Sequence, residues 1–173
     1  MLHTRSGPVA RCDDGTRLQV IATIEQWLDG PDKEPAVCWL NGPAGYRKSA
    51  LSQTIAERYA AEGRLLGSFF FLRGAGERNH ISHLIPTLVH QISLSIPATK
   101  PLLEKALRDE PAILEPSVVV AHQFQRLILG PVHSATSGFF SIFSHFAKRR
   151  ILIIDALDEC DDKAQMAGLV SMF

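Results

Sequence analysis

The chain has 173 residues, of which 46 % are apolar and 21 % are charged, so its composition is that of one globular domain rather than of a disordered segment. Its 18 basic and 18 acidic residues cancel, which argues against a nucleic-acid coat and against binding to an anionic membrane. No apolar run is long enough to span a bilayer, and the first residues lack the apolar core of a signal peptide. The three cysteines are far apart and predict neither a disulfide framework nor a metal site, so we expect an intracellular, cytoplasmic location.

The first predicted elements follow a lead-in, residues 1–12, which we expect to be disordered. Thr16 is the expected cap of a first helix, and Gly30 should end that helix. The apolar run at residues 36–40 has the length of a buried strand and leads into a glycine-rich loop. Apolar residues at four-residue spacing then predict a helix over residues 48–62.

The second half of the chain predicts a buried strand over residues 65–72, followed by helical patterns. Those patterns cover residues 82–96, 101–108 and 117–129. Gly130-Pro131 should close the last of them. Residues 151–154 form the clearest buried strand in the chain, and the start of a further helix follows at residue 161.

A phenylalanine-rich stretch at residues 134–147 interrupts this series and holds four of the nine phenylalanines. The spacing of Phe139, Phe143 and Phe146 suits one face of a helix that packs on a core or on a partner. A segment that dips into a membrane is the alternative, but no large basic face supports it. We treat residues 134–147 as an atypical insertion.

The glycine-rich loop at residues 42–49 follows the phosphate-binding pattern G-x-x-x-x-G-K-[ST] with one exception. Gly42 and Gly45 would let backbone amides curl around phosphates at the beginning of a helix. Lys48 would reach the β- and γ-phosphates, and the hydroxyl of Ser49 would bind Mg²⁺.

The exception is Arg47, which stands where the pattern has glycine. A residue with a side chain adopts the conformation that this glycine needs at a cost of about 1–2 kcal/mol, and its Cβ would crowd the phosphates. The bulky Tyr46 lies beside it. Because this steric effect outweighs the attraction of the arginine charge, the sequence predicts a distorted loop that binds nucleotide poorly.

The second chemical motif is the acidic segment that follows the strand at residues 151–154. Asp155 would lie at the carboxyl end of a buried strand, where ligands bind in open α/β sheets, and would hold Mg²⁺. Asp158 or Glu159 would polarise an attacking water as the catalytic residue. A strand followed by a solvated acidic turn is the plain alternative, and the phosphate-loop pattern earlier in the chain argues against it.

These motifs, together with Trp39-Leu40-Asn41 before the loop and Ala156-Leu157 after Asp155, resemble fungal NACHT domains and the overlapping group of nephrocystin-3-like N-terminal domains. The resemblance covers about residues 10–131 and 149–173. It implies a P-loop NTPase, a three-layer α/β sandwich with a parallel sheet, in a STAND-type signalling protein. It identifies the loop at residues 42–49 as the Walker A motif and the strand at residues 151–154 with the acidic residues after it as the Walker B motif. The nucleotide-binding residues that it implies are Gly42, Pro43, Ala44, Gly45, Lys48, Ser49 and Ala50.

The resemblance further implies that Ser49 and Asp155 hold Mg²⁺ and that the chain binds ATP or GTP as a conformational switch. Self-association or other signalling proteins are the implied partners, with neither nucleic acid nor a membrane span. Members usually carry an effector domain and C-terminal repeats. In this family a further strand lies between the Walker A and Walker B strands, so we expect residues 13–173 to be a partial domain, truncated after the Walker B strand.

Two functions therefore stay open at the level of sequence. The first is a nucleotide-dependent switch, with weak hydrolysis at most. The second is a degenerate or truncated domain that binds no nucleotide and acts only through protein–protein contacts. Arg47 and the missing strand favour the second, whereas the intact acidic residues of the Walker B segment keep the first open.

Overall fold

The computed structural model of the chain describes residues 11–13, 15–30, 37–43, 45–72, 74, 79–136 and 149–173. Three predictions lie outside these residues: the disorder of residues 1–10, the nucleotide-binding role of Ala44 and the phenylalanine-rich residues 137–147. Among the described helices, none is both long enough and apolar enough to cross a membrane.

Two parallel strands form the sheet, β1 (Leu65–Phe70) and β2 (Ile151–Asp155). Leu65 lies opposite Ile151, and Phe70 lies opposite Asp155. Parallel neighbours need a long crossover, and the helices between residues 81 and 136 provide it. The described chain is thus a mixture of helices and a small parallel sheet, which is compatible with the α/β class. Of the three predicted strands, those at residues 65–72 and 151–154 form, as Leu65–Phe70 and Ile151–Asp155.

Helices cover the two faces of this sheet, because alternate residues of a strand point to opposite faces. Ile151 and Ile153 pack with the first two helices, α1 (Leu18–Asp29) and α2 (Lys48–Ala61). Leu152 and Ile154 pack into the larger core on the other face. That core is built from β1 and from the helices that follow it in the chain, between residues 81 and 170.

Helices α1 and α2 both begin directly after an arginine whose backbone is in the left-handed conformation. Arg17 has φ 57° and Arg47 has φ 54°. The prediction that Thr16 caps α1 is therefore wrong, because its hydroxyl donates instead to the carbonyl of Asp13 at 2.7 Å. The predicted end of α1 at Gly30 and the predicted helix after the glycine loop are both confirmed.

The predicted strand at residues 36–40 is wrong in the part that the structure describes. Residues 37–40 have no regular secondary structure, and 60 % of Trp39 is exposed. A strand needs a neighbour to bond its amides and carbonyls, and β2 is bonded only to β1 among the described strands. The apolar composition of the run is right for a strand, but the ladder that would hold it is not formed.

The middle of the chain forms helices where periodicity placed them. Helix α3 (Leu84–Ser95) follows a short 3₁₀ turn, and α4 (Lys100–Asp109) follows another. Pro86 falls in the first turn of α3, where a missing amide costs no hydrogen bond. These helices bring Leu88 and Ile92 into the core, where both are fully buried.

The prediction that Gly130-Pro131 ends a helix is wrong, because the helical path continues to residue 136. Helix α5 (Val120–Phe124) runs through a π-helical turn (Gln125–Leu129) into α6 (Gly130–Thr136). The Gly130 amide bonds back to the carbonyl of Gln125, and a Cβ on Gly130 would lie 3.3 Å from that oxygen. The wider π turn and the bare glycine together accommodate a proline that an ordinary α-helix would not.

The last helix, α7 (Lys163–Val170), confirms the helical start predicted after the acidic segment. The Asp162 side chain caps it by accepting the amide of Gln165 at 2.9 Å. Met166 and Leu169 are buried in the larger core, so α7 packs on the same sheet face as α3.

Candidate functional site

The glycine loop folds into the first turn of α2 with two positive φ angles. Gly45 has φ 82°, and Arg47, at 54°, is the residue from which α2 begins. The carbonyl of Arg47 accepts the first helical hydrogen bond, from Leu51 at 3.1 Å. The conformation that was expected to be costly for Arg47 is thus the one that it adopts, at about 1–2 kcal/mol relative to glycine.

The side chain of Arg47 extends to the residues that precede α1. Its Nη1 lies 3.2 Å from Asp13 Oδ2, and 66 % of the side chain is exposed. Arg17 donates from Nη2 to the carbonyl of Tyr46 at 3.3 Å. Arg47, which departs from the phosphate-loop pattern, and the neighbouring Tyr46 are therefore both in contact with residues that precede α1.

Lys48 is the first residue of α2, and its ammonium lies across the loop. Nζ donates to the carbonyls of Gly42 at 2.7 Å and Pro43 at 3.1 Å. Ser49 follows, half-buried, and Ala50 is buried under the helix. The positive charge is held beside the N-terminus of α2, which itself attracts anions.

Asp155 ends β2 and is only 8 % exposed. Its Oδ1 accepts a hydrogen bond from the hydroxyl of Ser52 at 3.1 Å. Ser52 is one turn beyond Ser49 on α2, so the two serines share a helix face. Sequence reasoning missed Ser52, although this three-residue spacing from the predicted Mg²⁺ ligand was a signal that could have found it.

Asp158 and Glu159 lie in a short 3₁₀ turn, Leu157–Glu159, directly after β2. The turn is set by Ala156, which has φ 56°. Lys163 donates from Nζ to the carbonyl of Asp158 and so ties the turn to the start of α7. The acidic segment is therefore a fixed turn at the carboxyl end of the strand.

One cleft of about 1560 Å³ joins the loop to this acidic turn. Its volume exceeds the range of about 300–1,000 Å³ that is usual for small-molecule sites. Most of the predicted site residues line it: Gly42, Gly45, Lys48, Ser49, Ala50, Asp155, Asp158 and Glu159. Pro43 is joined to the cleft through its bond with Lys48. Residues more than 100 positions apart in sequence are thus brought to one side of the sheet.

Asp161 joins the segment after β2 to His80 and Ile81 through hydrogen bonds that sequence reasoning did not identify. Its Oδ2 lies 2.6 Å from His80 Nδ1, and its Oδ1 accepts the amide of Ile81 at 3.0 Å. Burial raises the pKa of this carboxyl, but the hydrogen bonds with His80 and Ile81 lower it by more, so the pKa of Asp161 lies below its usual value. Asp161 therefore fastens the segment after β2 to the residues that precede α3.

The donor chemistry near Lys48 fits a hard cation with a small number of protein ligands. No cluster of three or more His, Cys, Asp or Glu side chains is present within the described residues. Mg²⁺ does not need one, because it usually keeps several waters and takes one or two protein oxygens beside the phosphates of a substrate. The Ser49 hydroxyl and the Asp155 carboxylate are oxygen donors of that kind.

Residues 15–173 match the model of one protein family, described as Nephrocystin 3, N-terminal. The chain belongs to this family. The match spans α1, the glycine loop, both strands and the acidic turn, and it confirms the resemblance to nephrocystin-3-like N-terminal domains. No match was found among curated proteins or among solved structures. The cleft is accordingly a feature of a nephrocystin 3 N-terminal domain.

Proposed function

We propose that this nephrocystin 3 N-terminal domain binds ATP or GTP with Mg²⁺ in the cleft and uses the bound nucleotide as a conformational switch. One observation carries the proposal: Lys48, at the N-terminus of α2, and Asp155, at the carboxyl end of β2, line the same cleft. Ligands of parallel sheets bind at that end of the strands, and phosphates bind at helix N-termini.

Each site residue then has a defined role. The amides at the beginning of α2 would hold the phosphates, and Lys48 would exchange its bonds with the carbonyls of Gly42 and Pro43 for bonds with phosphate oxygens. Ser49 and Asp155 would hold Mg²⁺, whose charge offsets that of the phosphates. Glu159 or Asp158 would orient a water at the terminal phosphate.

The conformation of Arg47 supports binding rather than opposing it. Because Arg47 has φ 54° in the folded chain, we count its strain as a cost to folding rather than to phosphate binding. Its guanidinium is placed at Asp13, and the side chain is mostly exposed. The strain expected to distort the loop is therefore carried by the fold, and the Arg47→Gly variant tests the crowding of phosphate by the Cβ.

The hydrogen bonds of Lys48 within the loop favour a different function. Its ammonium donates to the carbonyls of Gly42 and Pro43, and these bonds compete with bonds to a phosphate. The exposed Trp39 lies just before the same loop and offers an apolar contact. In this second function, the domain binds no nucleotide and associates with itself or with another signalling protein.

A titration with fluorescent analogues of ATP and GTP separates the two functions. We expect the native chain to bind one of the analogues in the presence of Mg²⁺, with weaker binding after chelation of the metal. Because Arg47 is already in the required conformation, Arg47→Gly should change the affinity by no more than about threefold.

Two results would contradict this proposal. Binding by the Arg47→Gly variant but not by the native chain would show that the arginine blocks the loop, and would leave the second function for the natural sequence. Absence of binding by both proteins, with native circular dichroism, would rule out nucleotide as the ligand of this chain.

A further inference from the structure

Residues 11–13, which precede α1, lie along helix α2 and are called the strap below. The guanidinium of Arg11 lies 3.0 Å from a carboxylate oxygen of Glu57. The amide of Cys12 donates to the hydroxyl of Thr54 at 3.1 Å, and the Cys12 side chain packs with the core between α1, α2 and β2. These contacts hold the strap against the middle of α2.

The strap ends at the glycine loop with an ion pair. Asp13 Oδ2 lies 3.2 Å from Arg47 Nη1, and the two side chains are 75 % and 66 % exposed. A pair as exposed as this contributes little to stability by itself. Because Arg11 and Cys12 fix the strap on α2, the carboxylate of Asp13 is nevertheless kept beside Arg47. The pair therefore depends on the docked strap and can be exchanged for another pairing of similar strength.

This ion pair changes the charge of the cleft at its phosphate-binding end. Asp13 and Arg47 line the cleft together with Lys48, and Arg47 directly precedes Lys48 at the beginning of α2. A guanidinium in that position could bind phosphate oxygens through two parallel hydrogen bonds. The carboxylate of Asp13 instead occupies the guanidinium and adds a negative charge that repels an anion. The docked strap thus makes the cleft less attractive to phosphate.

We propose that Arg47 is a further phosphate-binding residue and that Asp13 holds it in reserve. With the strap docked, the guanidinium is paired with Asp13 and adds little to nucleotide affinity, which agrees with the small effect expected of Arg47→Gly. With the strap released, the guanidinium binds phosphate and the affinity rises. The inference rests on the proposed function, because it describes how the same site is regulated.

Removing the charge of Asp13 should release Arg47. An amide holds a guanidinium more weakly than a carboxylate does, so we expect Asp13→Asn to bind fluorescent analogues of ATP or GTP with Mg²⁺ about fivefold to tenfold more tightly. Asp109→Asn makes the same change at an exposed position on α4 that does not line the cleft, and should stay within about twofold. Combined with Arg47→Gly, Asp13→Asn should give a gain below about twofold, because the gain needs the freed guanidinium.

Thr54→Val loosens the strap without changing any charge. Valine has the shape of threonine but offers no acceptor to the amide of Cys12. Thr54 does not line the cleft, so an effect on nucleotide affinity must pass through the strap. We expect binding to be about twofold to threefold tighter. Unchanged affinity in this variant would mean that the strap does not control Arg47, and would overturn the inference.

The same coupling must also act from the nucleotide to the strap. A ligand that binds the released arrangement more tightly favours release by the same factor. The amide of Cys12 is bonded to Thr54 in the docked strap, so its hydrogen exchange in the native chain should be about fivefold to tenfold faster with saturating nucleotide and Mg²⁺. Unchanged or slower exchange of this amide with nucleotide bound would contradict release.

The affinities of the native chain and of Asp13→Asn separate this inference from the proposed function. Equal or weaker binding by Asp13→Asn would overturn the inference and leave the proposed function in place, as would an undiminished gain in the double variant with Arg47→Gly. Binding by Asp13→Asn but not by the native chain would support the inference and contradict the proposed function for the natural sequence. Absence of binding by both proteins, with native circular dichroism, would overturn both.

Discussion

Replacing Gln91 with leucine is expected to lower the free energy of unfolding by about 2–4 kcal/mol. Gln91 is 2 % exposed and Ser68 is 1 % exposed, and the glutamine amide bonds both the amide and the carbonyl of that serine. Leucine fills a similar volume but leaves two buried backbone groups without partners, and each such group costs about 1–3 kcal/mol. The effect is therefore that of lost hydrogen bonds and not of a cavity.

Chemical denaturation followed by circular dichroism measures this loss. Gln53→Leu is a matched control, because Gln53 is 1 % exposed but its Oε1 accepts no hydrogen bond within the described structure. Among the described residues, its Nε2 bonds to one side chain, that of Glu57, which is half-buried on the same helix. We expect Gln53→Leu to change stability by less than about 1 kcal/mol. Equal losses from the two variants would contradict the role assigned to Gln91.

The largest effect on ligand affinity is expected from Lys48→Met. Under the proposed function, the ammonium makes charge-assisted hydrogen bonds with phosphate oxygens, and such bonds contribute about 1.5–3 kcal/mol each. Its loss should weaken binding of the fluorescent nucleotide with Mg²⁺ by about 30- to 100-fold. Methionine keeps the length and apolar stem of the side chain, so the change isolates the charge.

The control for this change is Lys105→Met, which removes an equal charge from an exposed position on α4. It should leave the affinity within about twofold of the native value, since Lys105 does not line the cleft and an exposed charge is screened by salt. Lys48→Met also loses its bonds to the loop carbonyls, so the unfolding midpoint of each variant must be measured alongside. Unchanged affinity in a folded Lys48→Met variant would show that Lys48 does not contribute to nucleotide binding.

The parts of the fold that follow from local sequence were predictable. The apolar run before Asp155 is strand β2, and the four-residue spacing after Lys48 is helix α2. Each depends on a pattern within a few neighbouring residues, and each positions one half of the cleft. That Lys48 and Asp155 line one cleft was predictable as well, because a phosphate-binding loop and a strand-end carboxylate are both expected at the carboxyl end of the sheet.

The parts that depend on distant neighbours were not predictable. The run at residues 36–40 has strand composition, but a strand also needs a partner that bonds to it, and composition does not reveal one. The π turn before Pro131 depends on how Gly130 approaches the carbonyl of Gln125. The bonds of Gln91 to Ser68 and of Asp161 to His80 join segments 23 and 81 residues apart.

The proposed switch requires both halves of the cleft to contact one nucleotide, and amide hydrogen exchange of the native chain tests this directly. With saturating ATP and Mg²⁺, we expect slower exchange at residues 45–50 and, in the same sample, at residues 155–159. Helix α4, at residues 100–109, should be unchanged and serves as the internal reference. Slower exchange at only one of the two segments, or at neither, would contradict a nucleotide site formed by the loop and β2 together.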